Sequence, residues 1–229
     1  MHETSGVMMG KLDLWIDLVK RPGPEAMAVD EWLLAVADRP VLRVYGWLGE
    51  WGSIGYFGNL ADAMSRLPDL DWVRRWTGGG TVDHRADWTY TVVAPAGERL
   101  AQARGAETYR WIHEALEAVI AVEGVAVKIS NGEEKTGAAL CFDNPVNYDL
   151  VTVEGRKLAG AGQRRTRSGL LHQGSVSGSC ALNDSIHRAL RLASIMTDFW
   201  EIRDYFPPVE IIAGKVACRY GQSAWTQRR

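Results

Sequence analysis

Residues 74–84 read Arg74-Arg75-Trp76-Thr77-Gly78-Gly79-Gly80-Thr81-Val82-Asp83-His84. Three consecutive glycines remove every Cβ from a loop between two strand-like runs, so backbone amides there can approach a ligand closely. The two arginines just before it can pair with a phosphate or a carboxylate. No Gly-Lys-Ser/Thr follows, which excludes a nucleotide P-loop, and the stretch does not open a helix, which excludes a dinucleotide fingerprint. On composition alone a flexible hairpin connection stays open beside a ligand loop, and His84 alone fits a structural histidine.

Outward from this loop the periodicity sets the fold class. Residues 41–47, 53–57, 71–76 and 88–95 read as strands, the first alternating Leu42 and Val44 against Val41, Arg43 and Tyr45. Residues 24–38 read as a helix opened by a proline. Residues 106–123 give the clearest helix, with Trp111, Ile112, Ala115, Leu116, Val119 and Val122 on one stripe that belongs in the core. Residues 125–130, 146–153 and 157–163 read as strands, the last two joined at Glu154-Gly155, and a helix is expected near 209–219. Locally paired strands around a long helix predict an α+β fold, a mixed or antiparallel sheet with packed helices, not a doubly wound one. No linker or repeat divides the chain, so a single catalytic-sized domain over 1–229 with no accessory C-terminal domain is expected.

Composition narrows function. With 229 residues, 46% hydrophobic and 24% charged, the chain can bury a sizeable core. A net charge of -2 gives no pull towards nucleic acid or an anionic membrane. Apolar stretches fall short of a membrane span and the start lacks the order of a secretory signal, so the cytoplasm is the default location. Cys141, Cys180 and Cys218 form no CxxC pattern and leave at least one free thiol.

Two further stretches could carry chemistry. Cys141-Phe142-Asp143-Asn144-Pro145-Val146-Asn147-Tyr148-Asp149 precedes Gly155-Arg156-Lys157-Leu158-Ala159-Gly160-Ala161-Gly162-Gln163-Arg164-Arg165. A lysine close to a cysteine raises its thiolate fraction, as a nucleophile requires, although Cys141 as a core residue and Lys157 as a solvated one remain open. Leu170-Leu171-His172-Gln173-Gly174-Ser175-Val176 places a histidine in a strand-like run. Cys180 and Cys218 read as structural, and no HxH or carboxylate cluster argues for a structural metal.

In this order the three stretches resemble the lipoate–protein ligase and octanoyltransferase superfamily, which includes the biotin–protein ligase catalytic domain. Arg74 to His84 is similar to its Arg-Arg-x-Ser/Thr-Gly-Gly-Gly-x-Val-x-His signature. The run from Gly155 to Arg165 matches its Gly-Lys-Lys stretch, and Leu171 to Ser175 its Leu-His-x-Gly-Ser/Thr element. Weaker echoes extend the likeness over roughly residues 27–225. The resemblance implies a biotin/lipoate ligase-like catalytic domain that attaches lipoate or octanoate to one lysine of a lipoyl carrier domain, in a 2-oxoacid dehydrogenase or a glycine-cleavage H protein. It makes Gly78, Gly79 and Gly80 the lining of an acyl slot, Arg75 the contact for the carboxyl or phosphate end, and His84 a wall. Thr77, Gly160, His172 and Gly174 join them as binding residues, and Lys157 neutralises charge on the acyl carbonyl.

Two mechanisms follow from the resemblance. A cysteine-type transferase passes the acyl group through a Cys141 thioester with no cofactor, an acyl carrier protein being a possible donor, and the pattern Cys141-Phe142, Pro145, Tyr148-Asp149 favours it. The alternative is a ligase using ATP and magnesium, with Asp149 as metal ligand; Asp149 in place of the transferases' glutamate and the order Leu171-His172-Gln173 match that branch. A binder that turns nothing over is the third reading. Geometry bears on the choice: a strict two-residue turn at Glu154-Gly155 would put Asp149 and Lys157 on opposite faces of the sheet. A joint site for a ligase therefore predicts an extra residue, with Gly155 the place for it.

Overall fold

A computed structural model describes residues 9–132, 145–178 and 181–228. The chain runs β1 (Lys11–Arg21), α1 (Gly23–Val36), β2 (Val41–Trp47), β3 (Trp51–Ile54), α2 (Leu60–Arg66), β4 (Asp71–Arg74), β5 (Thr81–Asp83) and β6 (Asp87–Pro95). It continues through α3 (Arg99–Gln102), α4 (Gly105–Val122), β7 (Val127–Ile129), β8 (Leu150–Thr152), β9 (Lys157–Thr166) and β10 (Gly169–Ser177). The last elements are α5 (Leu182–Met196), β11 (Phe199–Ile202), α6 (Val209–Lys215), a π-helical turn (Val216–Tyr220) and α7 (Ser223–Thr226). Eight strands form one sheet in the order β11-β1-β2-β6-β10-β9-β8-β7, and β4-β3-β5 form a second. β1 is parallel to β2 and β11 while the other pairs of the large sheet are antiparallel, so the fold is α+β with a mixed sheet.

The alternation along β2 sends its residues to both faces of the sheet. Leu42 and Val44 join a core completed by Ile112, Leu116 and Val119 of α4 and Leu192 and Met196 of α5. Val41 and Tyr45 join the opposite core, completed by Met27, Leu33 and Leu34 of α1 with Ile212 and Tyr220 near the end of the chain. In α4 the expected stripe ends early: Val122, the last residue of the helix, is 69% exposed, and Trp111 is only partly buried. Strand β3 covers 51–54 instead of 53–57, and residues 146–149 precede β8 without belonging to it.

Buried charge ties the layers together. Arg43 is fully buried on β2, and its guanidinium donates to Asp17 of β1 at 2.8 and 3.0 Å and to Asp30 of α1 at 2.6 Å. Arg74 is also fully buried, and donates to carbonyls of Gly55, Tyr56, Gly58, Trp225, Thr226 and Arg228. The first arginine of the 74–84 stretch is therefore a clamp on the last residues of the chain, and only the second faces the pocket described below. Cys218, expected to be structural, is exposed, and Cys141 and Cys180 lie outside the described residues.

Two histidines sit under β8 and β9, both buried. His113 of α4 donates from Nδ1 to the Tyr148 carbonyl at 2.6 Å, while its Nε2 has no partner. Tyr148 is held at φ 73, a left-handed conformation uncommon outside glycine, so this bond grips a strained residue next to Asp149. His172 stands between Gln163, 3.1 Å from Nδ1, and the Tyr90 hydroxyl, 3.2 Å from Nε2. Burial pushes His113 down to about 4, and burial with His113 and Arg165 nearby holds His172 well below the usual histidine range. Both bind their proton more weakly folded than unfolded, so the fold gains from their neutrality above the unfolded histidine value, near 6.5, and loses it as pH falls towards 4. For His113 alone the loss between pH 7 and pH 5 is about 2 kcal/mol. Urea unfolding across this window is expected to show the decline, and His113→Gln to flatten it; an equal slope in wild type and variant would contradict the assignment.

Candidate acyl-binding site

The glycine loop leaves β4 and returns as β5 clasped between two other backbones. A Cβ at Gly55 would lie 1.9 Å from the Gly79 carbonyl oxygen, and one at Gly162 would lie 2.2 Å from the Gly78 oxygen. Glycine is required at both flanking positions for the loop to close on β9, and Gly79 itself takes φ 91. Behind the loop, Thr77 donates to the Gln173 amide oxygen at 2.7 Å, and the Gln173 amide nitrogen donates to Asp30 at 2.7 Å and to the Met27 sulfur at 3.3 Å. Helix α1 thereby sets the position of a pocket residue on β10.

These elements line a pocket that opens to solvent, with about 610 Å³ of space between its walls when the open solvent at its mouth is included. Its buried end is formed by Met27, Tyr45 and Gln173 and its walls by Trp47, His84, Arg75, Lys157 and the backbone of Gly160, Gly162 and Gly174. Of the triple glycine only Gly80 lines it. Gly78 and Gly79 serve the clasp, Thr77 is buried behind, and His172 lies outside the lining. Met27, Tyr45, Trp47 and Gln173 were not among the expected site residues. The signal that could have found them is the Gln173-Gly174 step within a strand and the Met27-to-Asp30 run of α1, whose acidic residue faces inward.

Arg75 is buried, and no carboxylate among the described residues pairs with it directly. Its Nη1 donates to Ser53 Oγ at 2.6 Å, and its Nη2 donates to the carbonyls of Gly78 at 3.2 Å and Gly80 at 2.8 Å. Burial pushes its pKa down to about 10, so it stays cationic at neutral pH. Ser53 Oγ also lies 2.7 Å from His84 Nε2, and His84 Nδ1 lies 2.8 Å from Asp87. Arginine can only donate, so the serine oxygen accepts from it and the hydroxyl proton is free for His84 Nε2. His84 then donates from Nδ1 to Asp87, an arrangement that links Arg75 to a negative charge through two intermediates. The His84 ring stacks on Trp47 at 3.9 Å between centroids, which makes the expected wall.

Lys157 reaches the pocket because the β8–β9 hairpin is irregular twice. The turn has three residues, Val153 to Gly155, closed by Thr152 N–H to the Arg156 carbonyl at 2.8 Å, with Gly155 at φ 84. The added residue pairs Lys157 with Val151, on the same face as Asp149. The register then slips at Leu158, so that Ala159 pairs with Leu150 and Gly160 falls opposite Asp149. A Cβ at Gly160 would sit 2.5 Å from Lys157 Cε, so the lysine crosses the glycine to meet Asp149 Oδ2 at 2.8 Å. The irregularity at Gly155 that a joint ligase site would require is present, and the second, at Leu158, was not expected.

The Asp149 carboxylate is fully buried and already surrounded by donors. Tyr109 donates to Oδ1 at 2.5 Å, and the Val146 N–H and Lys157 both donate to Oδ2 at 2.8 Å. Burial and the adjacent Asp149 push the Tyr109 hydroxyl well above the usual tyrosine range, which keeps it a donor. Among the described residues no three His, Cys, Asp or Glu side chains gather to hold a metal, and a magnesium ion bound with a nucleotide takes one or two carboxylates beside phosphate oxygens and water. At Asp149 such an ion would have to displace Lys157 from Oδ2. No helix among the described residues is long and apolar enough to cross a membrane.

Comparison with known proteins agrees with this architecture. The Lipoyl protein ligase A/B catalytic domain family matches residues 22–201. The octanoyltransferase LipM of Symbiobacterium thermophilum is 37% identical over 176 residues, 70% of this chain and 63% of that protein. LipM of Bacillus subtilis is 35% identical over 167 residues, 66% of this chain and 59% of that protein. The alignments thus span about three fifths of the length of these curated relatives. Among solved structures, a putative lipoate protein ligase from T. acidophilum with bound lipoic acid superposes with a TM-score of 0.76 at 16% identity, over 95% of this chain and 99% of that one, a likeness of fold. With the clasped triple glycine, the Arg75 and Lys157 pocket and four fifths of its length covered by one family description, this chain belongs to the lipoyl protein ligase A/B catalytic domain family.

Proposed function

We propose that the chain transfers an octanoyl or lipoyl group to the lysine of a lipoyl carrier domain through a thioester on Cys141, without ATP. The observation that carries this reading over adenylation is the state of Asp149: a ligase would need it free for magnesium, whereas here it holds Lys157 and is saturated by Tyr109 and a backbone amide. The likeness to octanoyltransferases at 37% and 35% identity supports the same branch.

In the first step the Cys141 thiolate attacks the carbonyl carbon of a donor thioester. A new C–S bond forms, the donor C–S bond breaks, and the donor thiolate leaves and takes up a proton. Exchange between thioesters is nearly isoenergetic. In the second step the neutral amine of the acceptor lysine attacks the Cys141 thioester, the C–S bond breaks, and the proton lost by nitrogen restores the thiol. Formation of the amide drives the sequence forward. Lys157, fixed by Asp149 at the pocket wall, faces the charge that builds on the carbonyl oxygen in both steps. Arg75 supplies a second positive charge deeper in the pocket, and the acyl tail lies along the backbone of Gly80, Gly160 and Gly174 towards Met27. Acceptors are the lipoyl domains of 2-oxoacid dehydrogenases or the glycine-cleavage H protein, and an acyl carrier protein is the donor.

One observation keeps the ligase reading alive: the hairpin irregularity does unite Asp149 and Lys157 on one face, as a joint ATP site requires. The direct ion pair across Gly160 is a sufficient reason for that irregularity without any nucleotide.

Incubation of the pure protein with octanoyl-carrier protein in the absence of ATP is expected to yield an octanoyl adduct by intact mass, absent in Cys141→Ala. A wild-type protein that takes up no octanoyl group, yet modifies apo lipoyl domain with lipoate and Mg-ATP, would refute the transferase reading. Gly160→Ala places a methyl where Lys157 crosses, and should lower the rate of adduct formation by about a hundredfold or more, in the range expected for loss of one charge-stabilising donor; it also lowers the melting temperature, because the buried Asp149 carboxylate loses its cation, so the rate is read well below the melting transition. An unchanged rate would detach Lys157 from the chemistry.

A further inference from the structure

Asp87 of β6 carries a buried carboxylate behind the wall of the acyl pocket. Three side chains that line the pocket donate to one of its oxygens, Oδ2: His84 from Nδ1 at 2.8 Å, Thr89 from Oγ1 at 2.9 Å and Ser175 from Oγ at 2.6 Å. No lysine or arginine among the described residues lies within ion-pair distance of it, and Arg75 is reached only through His84 and Ser53. A carboxylate without a direct cation keeps its negative potential, and the donors that face the pocket carry that potential to its surface.

The three donors differ in what they leave open to the pocket. His84 has both ring nitrogens engaged, Nδ1 by Asp87 and Nε2 by Ser53. Thr89 Oγ1 accepts from the Trp47 indole at 2.9 Å. Ser175 Oγ accepts from no donor among the described residues, although a hydroxyl oxygen has two acceptor positions. It is an open acceptor with a carboxylate directly behind it. Its partner on β9 is Gly160, the glycine that Lys157 crosses, and side chains of directly opposed residues share a face of the sheet. Ser175 therefore stands beside the path of the lysine. Along β10 the lining passes from exposed Ser177 through half-buried Ser175 to buried Gln173, which puts Ser175 between the mouth and the buried end.

We infer that Ser175 receives the amine of the acceptor lysine: its Oγ accepts a hydrogen bond from the incoming nitrogen, and Asp87 acts through it as a positioning residue. The inference rests on the transfer reading above, in which a lysine amine is the second substrate. That amine arrives from water as an ammonium, and both pocket cations, Arg75 and Lys157, repel it. Asp149 is taken by Lys157 and Asp30 by Arg43, so the charge that offsets the repulsion is that of Asp87, presented through Ser175. The ammonium gives one proton to water at the mouth. An N–H then donated to Ser175 turns the nitrogen lone pair towards the thioester carbon. Attack forms the C–N bond and breaks the C–S bond, and a second proton passes from nitrogen to the Cys141 sulfur. Ser175 neither gains nor loses a proton.

The test is single-turnover deacylation of the octanoyl-enzyme by two nucleophiles: apo lipoyl domain, and hydroxylamine, which is uncharged at neutral pH. Ser175→Ala is expected to lower the rate with the lipoyl domain by about tenfold or more relative to the rate with hydroxylamine, as loss of one hydrogen bond to a charged group does. Asp87→Asn should lower the same ratio, and Ser175→Thr, which keeps the hydroxyl, should restore most of it. The hydroxylamine rate also certifies that each variant is folded. A parallel loss with both nucleophiles would reduce Ser175 to a support of the pocket and overturn the inference. An unchanged ratio in Ser175→Ala, or a Ser175→Thr ratio as low as that of Ser175→Ala, would overturn it too. A wild-type protein that forms no octanoyl-enzyme without ATP would overturn the transfer reading and the inference with it, an outcome seen before any variant is made.

Discussion

Lys157 and Asp149 meet because two small departures from a regular hairpin act together, and the chemistry of the pocket depends on that meeting. The three-residue turn alone brings Lys157 to the correct face, since residue parity decides the face of a strand. Had the register then continued unbroken, Ala159 would stand opposite Asp149, and its methyl would occupy the path of the lysine. The slip at Leu158 instead presents Gly160 there and sends Ala159 into the core. A glycine, a left-handed turn and a bulge within six residues are each mildly unfavourable in a strand. Their joint result is a lysine held flat across the sheet by a buried carboxylate.

The same carboxylate shows how tertiary context reaches into the site. Asp149 is fixed by Tyr109, which also accepts a hydrogen bond from the Ala161 N–H at 2.8 Å, so one phenol from α4 ties β9 to the residue just before β8. Next to it His113 grips the strained Tyr148 carbonyl. On the opposite face Asp30 of α1 accepts from Arg43, Tyr45, Thr91 and Gln173, and Gln173 passes the constraint to Thr77 in the glycine loop. Buried polar groups of this kind stabilise little in net terms, yet leaving any one unpaired is costly, so the network specifies one arrangement of the pocket. Helices α4 and α1, on opposite faces of the sheet, therefore both act on the site through polar contacts.

Much of this was legible in the sequence because it is local. The triple glycine, the long α4 helix and the β8–β9 hairpin each declare themselves within about ten residues, and the need for an extra residue near Gly155 follows from counting alone. Strand β1 was not assigned, although Leu12, Leu14 and Ile16 alternate, because Asp13 and Asp17 are poor strand residues. Asp17 is balanced there by Arg43 and Arg21, and Asp13 by Arg39 and by Arg203 and Tyr205 nearly two hundred residues away. Helix α5 was missed as well, although Ala189, Leu192, Ala193 and Met196 form its buried stripe. The coupling of Asp30 to Gln173 and of Gln173 to Thr77 was not assigned, since those contacts join residues more than ninety apart in sequence.

The two pocket cations differ in how their charge is balanced, and that difference orders their roles. Lys157 has a full ionic partner at 2.8 Å, so its ammonium can lean towards a developing oxyanion without leaving a bare charge behind, but attracts a resting anion only weakly. Arg75 has neutral partners only, two carbonyls and a serine, with Asp87 reached through His84 and Ser53. An arginine buried in this way has uncompensated positive potential and favours any electron-rich group that enters, whether a carboxylate or a polarised carbonyl. In the acyl transfer proposed above, ground-state attraction thus falls to Arg75, and stabilisation of charge that appears only during the transfer falls to Lys157. Uniform attraction at both positions would hold the substrate as tightly as the transition state and gain no rate.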